Sequence, residues 1–368
     1  MKTIIIMTAS IGAGHNQVAW AMKESLQECD PQVQVGVVDL LEEKRVYQLV
    51  NTLYLETIQK APELFSRAYG WTQSHQTHPK VSSMLHHLCY RLLQRIQQKA
   101  HPDLFLFTHP FPVAAYRSRD LAPAYAILTD FGFHPLWSNV NMNGYFVSQP
   151  EQIEALKKQG LNGGRIFLSG IPLVKGFRTE STGWNPEVPR SAVPRVLFMG
   201  GGLGIGGVEG LVHMAEKIPE SIQVTAVTGR NQLLRQDLLQ RTRHLPNWEV
   251  LGFSNDISSL MRQSSLLVTK AGAVTLSEAA ACSLPTIILN PLPGHEAENA
   301  ARAVEQGWAH LARSTEEAVH LVQRLTGQQE RLHQMSLRAA RWALPDAAGF
   351  VSHQLQMIHP AERSRHLC

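Results

Sequence analysis

The sequence predicts an α/β protein built from two consecutive doubly wound domains. Three observations carry this reading. Short apolar runs of strand length alternate with helical patterns along most of the chain. The order strand, glycine-bearing turn, helix occurs twice, once near Thr3–His15 and again near Val196–Gly207. The length of 368 residues favours two domains over one.

The first strand is Thr3 to Thr8, whose run Ile4-Ile5-Ile6-Met7 suits a strand buried on both faces. The turn Ala9-Ser10-Ile11-Gly12-Ala13-Gly14-His15 follows, then a helix from about Gln17 to Glu28 and a strand from Val33 to Val38. This order implies a parallel sheet with right-handed crossovers. Between Glu42 and Ala100 long helices replace the short runs. In Val81–Ala100, apolar residues at 81, 84, 85, 88, 92, 93 and 96 mark one face, and Arg91, Arg95 and Lys99 mark another. Leu104–Phe107, Tyr125–Leu128, Tyr145–Val147 and Ile166–Leu168 read as further short strands.

Residues 1–172 form the expected first domain and 173–194 a proline-bearing linker. The plan then repeats over 195–344. Val196–Met199 is a strand, Gly200–Gly207 a glycine-rich loop and Val208–Lys217 a helix. Val224–Val227, Trp248–Leu251, Leu266–Val268 and Thr286–Leu289 continue the sheet. From Glu316 on the pattern is helical and Pro345 interrupts it. Residues 345–368 are expected as a helical tail that packs back on the first domain.

Composition narrows the functional classes. With 44% hydrophobic and 17% charged residues the chain is globular rather than disordered. A net charge of +4 gives no argument for a nucleic-acid partner. Between Lys60 and Arg119, however, eight Lys/Arg stand against two acids, which suits either a solvated face or an anionic surface. The cysteines Cys29, Cys89, Cys282 and Cys368 lack metal or redox spacing, as expected of reduced thiols in the cytosol. No apolar run reaches the ~18 residues of a membrane span, and the N-terminus reads as a core strand rather than a signal peptide.

The most telling segment is Thr269-Lys270-Ala271-Gly272-Ala273-Val274-Thr275-Leu276-Ser277-Glu278-Ala279. A small-residue turn between strand and helix offers backbone N–H groups to an anion. Glu278 stands about one helical turn further, where a carboxylate can accept from sugar hydroxyls. The pair suits a diphosphate carrying a ribose. The loop Gly200–Gly207 is a second phosphate candidate but lacks the Lys of a P-loop. The acid expected at the end of the following strand in a dinucleotide fold is replaced by Thr228-Gly229-Arg230-Asn231, which argues against NAD. Pro291-Leu292-Pro293-Gly294-His295-Glu296-Ala297-Glu298-Asn299 follows the next strand. Its carboxylates and carboxamide suit sugar recognition, and equally suit the N-terminus of a helix.

In the first half, His15 sits at the first strand-to-helix turn. A histidine there can act as general base near neutral pH, or cap the helix and pack on the sheet. Asp130, in Thr129-Asp130-Phe131-Gly132-Phe133-His134-Pro135-Leu136-Trp137, is a candidate to orient His15 or to contact an acceptor. His134, Trp137 and His109 are candidates for an acceptor channel, although the prolines beside His109 fit a rigid structural turn as well. No HExxH or Asp-x-Asp occurs among the 17 His and the acids, so no metal is expected and basic groups and helix termini would stabilise a leaving diphosphate.

These motifs, taken in order, resemble the monogalactosyldiacylglycerol synthases of plastids and the processive diacylglycerol glucosyltransferases of Gram-positive bacteria. The resemblance spans about residues 3 to 310. It rests on Gly12–His15, Leu128–Asp130 with His134 and Trp137, Gly170–Pro172, Met199–Gly206, Gly229–Asn231, Thr269–Ala279 and Pro293–Asn299. It implies a GT-B fold, with two Rossmann-like domains facing a central cleft, and an inverting transfer of a hexose from a UDP-sugar to diacylglycerol. By position, Gly201, Gly202, Gly204 and Gly272 to Thr275 (Ala273 and Val274 between) would hold the diphosphate and Glu278 the ribose. Arg230 belongs to the same donor set. Phe253 would lie near uracil, and Glu298 and Asn299 would bind the sugar. His15 would take the proton of the acceptor hydroxyl.

The resemblance also implies a peripheral protein on the inner face of the cell membrane. Val81–Ala100 and the segment Leu64–Trp71 would meet anionic lipids. Two departures from the family pattern stand out. The donor turn carries Ala273 and Val274 where many relatives have proline or glycine, and His295 stands where many have glutamine. Other acceptors, a UDP-sugar-responsive regulator and a nucleotide-sugar epimerase of the same fold remain alternatives.

Overall fold

The parallel sheets expected from the apolar runs are present in a computed structural model. It describes residues 3–10, 13–42, 79–161, 165–178, 193–200 and 217–359, with backbone alone for residues 79–85. The chain divides into two units, one comprising Met1–Lys175 with Asp346–Cys368, the other Gly176–Pro345.

The first unit holds a six-stranded sheet of β1 (Thr3–Thr8), β2 (Gln34–Asp39), β3 (Leu104–Phe107), β4 (Ala124–Ile127), β5 (Gly144–Val147) and β6 (Arg165–Leu168). Its order is β2-β1-β3-β4-β5-β6 and every pair is parallel. Ile4, Ile6, Leu104, Phe105, Phe107, Ala126 and Phe146 are fully buried, as continuous apolar strands in a two-sided sheet must be. The switch in strand order lies between β1 and β3. Loops leaving those two strands diverge there, and ligands of such sheets bind at that point.

Helices of this unit are α1 (Gly14–Cys29), α2 (Pro79–Ala100), α3 (Pro110–Ala115) and α4 (Pro150–Lys158). On α2 the apolar face is inward: Cys89, Leu92 and Leu93 are buried, while Arg91, Arg95 and Lys99 are exposed. The segment Leu64–Trp71 lies outside the described residues.

The second unit repeats the plan with β7 (Arg195–Met199), β8 (Gln223–Val227), β9 (Trp248–Leu251), β10 (Leu266–Thr269), β11 (Thr286–Leu289) and β12 (Ala309–Ala312). Here the order is β12-β11-β10-β7-β8-β9, again all parallel, with the switch between β7 and β10. Its helices are α5 (Gln232–Thr242), α6 (Ile257–Gln263), α7 (Ala273–Ala281), α8 (His295–Glu305), α9 (Thr315–Thr326) and α10 (Gln329–Trp342). The strand β12 is absent from the sequence expectation. Its residues Ala-His-Leu-Ala carry no β-branched side chain, and pairing with β11 makes it a strand.

The first unit is completed by α11 (Ala347–Ile358), which packs on α1. Ser352 Oγ donates to Ser25 Oγ at 2.9 Å in the buried contact. The first crossing between units falls after Lys175. Leu173 is buried, and Lys175 is bound to α1 through its N–H to Glu24 Oε2 (3.0 Å) and its Nζ to Glu28 Oε1 (2.9 Å). Gly176 opens the second unit against α6. A Cβ there would lie 2.8 Å from Ser258 Oγ, so a larger residue would require that hydroxyl to move.

Candidate functional site

At the switch point of the first sheet, three neighbouring strand ends converge on one imidazole. His15 is the second residue of α1, at the exit of β1. Thr108 follows β3 and Thr129 follows β4. His15 Nδ1 lies 2.9 Å from the Thr108 carbonyl oxygen and 2.8 Å from Thr129 Oγ1. His109 stands edge-on to His15, with ring centroids 4.5 Å apart and an interplanar angle of 73°.

His109 is only 4% exposed, and burial, assisted by the charge of His15, holds its imidazole well below the ordinary histidine range. Its Nδ1 accepts from the Phe111 N–H (3.2 Å) and caps the proline-led helix α3. His109 therefore packs against His15 as a neutral ring. Asp130 lies one residue beyond Thr129. Its carbonyl accepts from Ser148 Oγ (2.9 Å) and Gln152 Nε2 (2.8 Å), and the same Gln152 amide reaches the Gly132 carbonyl at 2.6 Å. Gln152, unmarked in the sequence reading, thus fixes the loop that presents Thr129 and Asp130. His134 caps the single 3₁₀ turn Pro135–Trp137 by accepting from the Leu136 N–H at 3.2 Å. Trp137 is 2% exposed and packs within the core cluster of the unit.

At the switch point of the second sheet, β10 runs into Lys270-Ala271-Gly272 and α7 begins at Ala273. Gly272 caps this helix with backbone only, and no acid occupies the first turn. The first intrahelical bond runs from Leu276 N–H to Gly272 O at 2.9 Å, so the N–H groups of Ala273, Val274 and Thr275 precede the helical ladder. These donors and the helix dipole favour an anion. A Cβ built on Gly272 meets no heavy atom within 4 Å, so space in front of the turn is open.

One turn further, Glu278 is 5% exposed, and burial alone acts on its carboxyl, with no neighbouring charge or hydrogen bond among the described residues offsetting it. Burial pushes it up to about 8. Thr269 Oγ1, at the end of β10, is also buried without a partner. Burying polar groups unpaired is costly, and a ligand that pairs them recovers that cost.

The next loop is bound to this turn from two sides. Lys270 Nζ donates to Glu296 Oε1 at 3.0 Å, and the other oxygen of Glu296 accepts from Leu292 N–H at 3.1 Å. Asn299, fully buried, donates from Nδ2 to the Ala271 carbonyl at 3.1 Å. Gly294 has φ 98° and ψ −134°, a conformation open to glycine alone, and it turns the chain into α8. Glu298 follows on α8, half-buried. Glu296 and Glu298 stand in the first turn of α8, as the sequence suggested, and Glu296 is in addition a clasp between loops. At the ends of β8 and β9, Arg230 lies over the ring of Phe253, 5.5 Å from its centroid, and Phe253 is 58% exposed. Gly201, Gly202 and Gly204 lie outside the described residues.

The chain can be set beside known proteins at this point. Residues 15–173 match the family model described as monogalactosyldiacylglycerol (MGDG) synthase, and residues 195–348 match the glycosyltransferase family 28 C-terminal domain. A protein of Bacillus cereus named processive diacylglycerol beta-glucosyltransferase is 29% identical over 377 aligned residues, covering 99% of this chain and 95% of that protein. Among solved structures, MurG of Acinetobacter baumannii superposes with a TM-score of 0.62 at 17% identity, covering 97% of this chain and 100% of MurG. The UDP-GlcNAc 2-epimerase of Neisseria meningitidis bound to UDP-GlcNAc does so with 0.61 at 14% identity, covering 97% of this chain and 100% of that one.

Proposed function

The chain belongs to the monogalactosyldiacylglycerol synthase and processive diacylglycerol glucosyltransferase family of GT-B glycosyltransferases, and on that premise we propose that it transfers a hexose from a UDP-sugar to diacylglycerol. The observation that carries the reading is the unpartnered, buried Glu278 one turn behind the open N-terminus of α7. That pairing of features fits a ribosyl diphosphate: phosphate oxygens on the N–H groups of Ala273, Val274 and Thr275, ribose hydroxyls on Glu278. Phe253, presented with Arg230 at the strand ends, supplies an aromatic face for uracil. Glu298 and Asn299 face the sugar in this reading, and glucose is the donor favoured by the name of the full-length relative.

His15 then works as general base. The acceptor oxygen forms its bond to the anomeric carbon as the bond to the diphosphate breaks, UDP departs, and the hydroxyl proton passes to His15. A single displacement converts the α-linked donor into a β-linked product. Charge on the leaving diphosphate is met by the helix terminus without a metal. The exposed Arg91, Arg95 and Lys99 of α2 supply attraction for anionic lipid at the inner face of a membrane, where diacylglycerol resides.

The test is direct. Purified chain with diacylglycerol in mixed micelles is given UDP-glucose, UDP-galactose or UDP-N-acetylglucosamine separately, and glycolipid is read by mass and anomeric configuration. A β-glucosyl product is expected. Absence of lipid product from every donor refutes the reading. The structural likeness to a 2-epimerase favours one alternative, and an epimerised UDP-sugar formed without lipid product would establish it.

A further inference from the structure

We infer that Thr129 is the positioning residue of His15: its hydroxyl and the Thr108 carbonyl together hold the imidazole in the tautomer that places the basic electron pair on Nε2. The inference rests on the reading of His15 as the base and deepens it.

The two oxygens at Nδ1 differ in what they can do. A carbonyl oxygen only accepts, so Nδ1, 2.9 Å from Thr108 O, carries a hydrogen. With that hydrogen in place, Thr129 Oγ1 at 2.8 Å is the second acceptor of a shared N–H. The opposite tautomer would set the Nδ1 lone pair against the carbonyl lone pairs. Nε2 is then the nitrogen that receives the acceptor proton, and Nδ1–H stays where it is throughout.

His15 lies in the first turn of α1, where the positive end of the helix opposes a cation, and no acid stands in that turn. His109 contacts the ring but contributes no negative charge. The imidazolium formed during transfer meets two oxygen dipoles at Nδ1. Both Thr108 and Thr129 are buried, and Gln152 anchors the chain immediately after Thr129, so the two oxygens are held rather than recruited.

The experiment uses full-length protein with ¹⁵N-labelled histidine and three variants: Thr129→Val, Thr129→Ser and His15→Ala. The His15 signal is identified by its loss in His15→Ala. Wild type is expected to show a protonated Nδ1. Thr129→Val, nearly the same in shape, is expected to lower kcat about 10-fold with donor KM unchanged and to mix the tautomers, and Thr129→Ser to restore both. A Thr129→Val protein with wild-type kcat and an unaltered His15 signal overturns the inference when His15→Ala is inactive. Wild-type transfer by His15→Ala instead overturns the base reading, while the tautomer signal still decides the geometry. Melting temperatures of the three variants within a few degrees of wild type exclude misfolding as the cause.

Discussion

Lys270 and Glu296 bind two consecutive strand-end loops to each other, with Nζ 3.0 Å from Oε1, although 26 residues separate them in the chain. The Glu296 carboxylate is nearly buried, while the lysine side chain is 37% exposed. Removing the lysine strands a buried carboxylate. Glutamine in place of the acid keeps an acceptor for the Leu292 N–H but loses the ion pair. After allowance for the exposure of the lysine, each loss is worth roughly 1–3 kcal/mol. Lys270→Met and Glu296→Gln should each lower stability by that amount in urea unfolding and raise the donor KM. The double variant should cost less than the sum. Strict additivity would show that the clasp does not couple the loops.

Glu278 sets a pH dependence with a definite sign. Its carboxyl titrates at about 8 in the folded chain against 4.5 when unperturbed. Between those values the folded state keeps a proton that the unfolded state has lost, so stability falls as pH rises through this window. The full loss, on the order of 3–5 kcal/mol, is present above pH about 8 and absent below about 4.5. Glu278→Gln should therefore melt higher than wild type at pH 8, and the two curves should converge near pH 4.5. UDP affinity of the variant should drop about 10-fold, through the lost ribose hydrogen bonds. Identical pH slopes in the two proteins would assign the titration elsewhere.

Gly272 distinguishes a residue needed by the fold from one needed by the ligand. Its φ of −69° suits any residue, and the space beyond it is open. Gly272→Ala should fold, at a cost of at most about 1 kcal/mol for the poorer cap. Gly272→Val should also fold yet place methyl groups where phosphate oxygens approach, and lose nucleotide binding by calorimetry. Undiminished UDP affinity in Gly272→Val would remove this turn from the phosphate site.

The basic face of α2 predicts a salt-sensitive membrane affinity. Replacing Arg91, Arg95 and Lys99 by Glu should leave transfer in neutral micelles unchanged and abolish sedimentation with vesicles containing anionic lipid. Wild-type sedimentation should weaken as salt shortens the screening length. Equal binding to neutral vesicles would sink the electrostatic part.

Strand positions were legible wherever buried apolar runs met small-residue turns, as at Ile4–Ile6 and Leu266–Val268, because both faces of a parallel sheet demand such residues. β12 was not, since Ala309–Ala312 becomes a strand only through its partner. Glu278 and Gly272 could be picked out from local spacing. Thr129, Gln152 and the pairing of Lys270 with Glu296 could not, because each acts on a residue brought near by the sheet. Trp137 shows the converse: an aromatic beside a strand end draws attention as a site, and only the structure shows that it is buried in the core cluster.

The last helix, α11, lies against α1, so the second unit is an uninterrupted stretch set inside a first unit whose pieces flank it. During synthesis the stretch Gly176–Pro345 is complete while the first unit still lacks a helix. The half carrying His15 is finished last, after Asp346–Ile358 has left the ribosome. A chain broken off near Pro345 would hold the whole second unit and lose the helix that buries Ser25 on α1, so premature termination is expected to spare one half and unsettle the other.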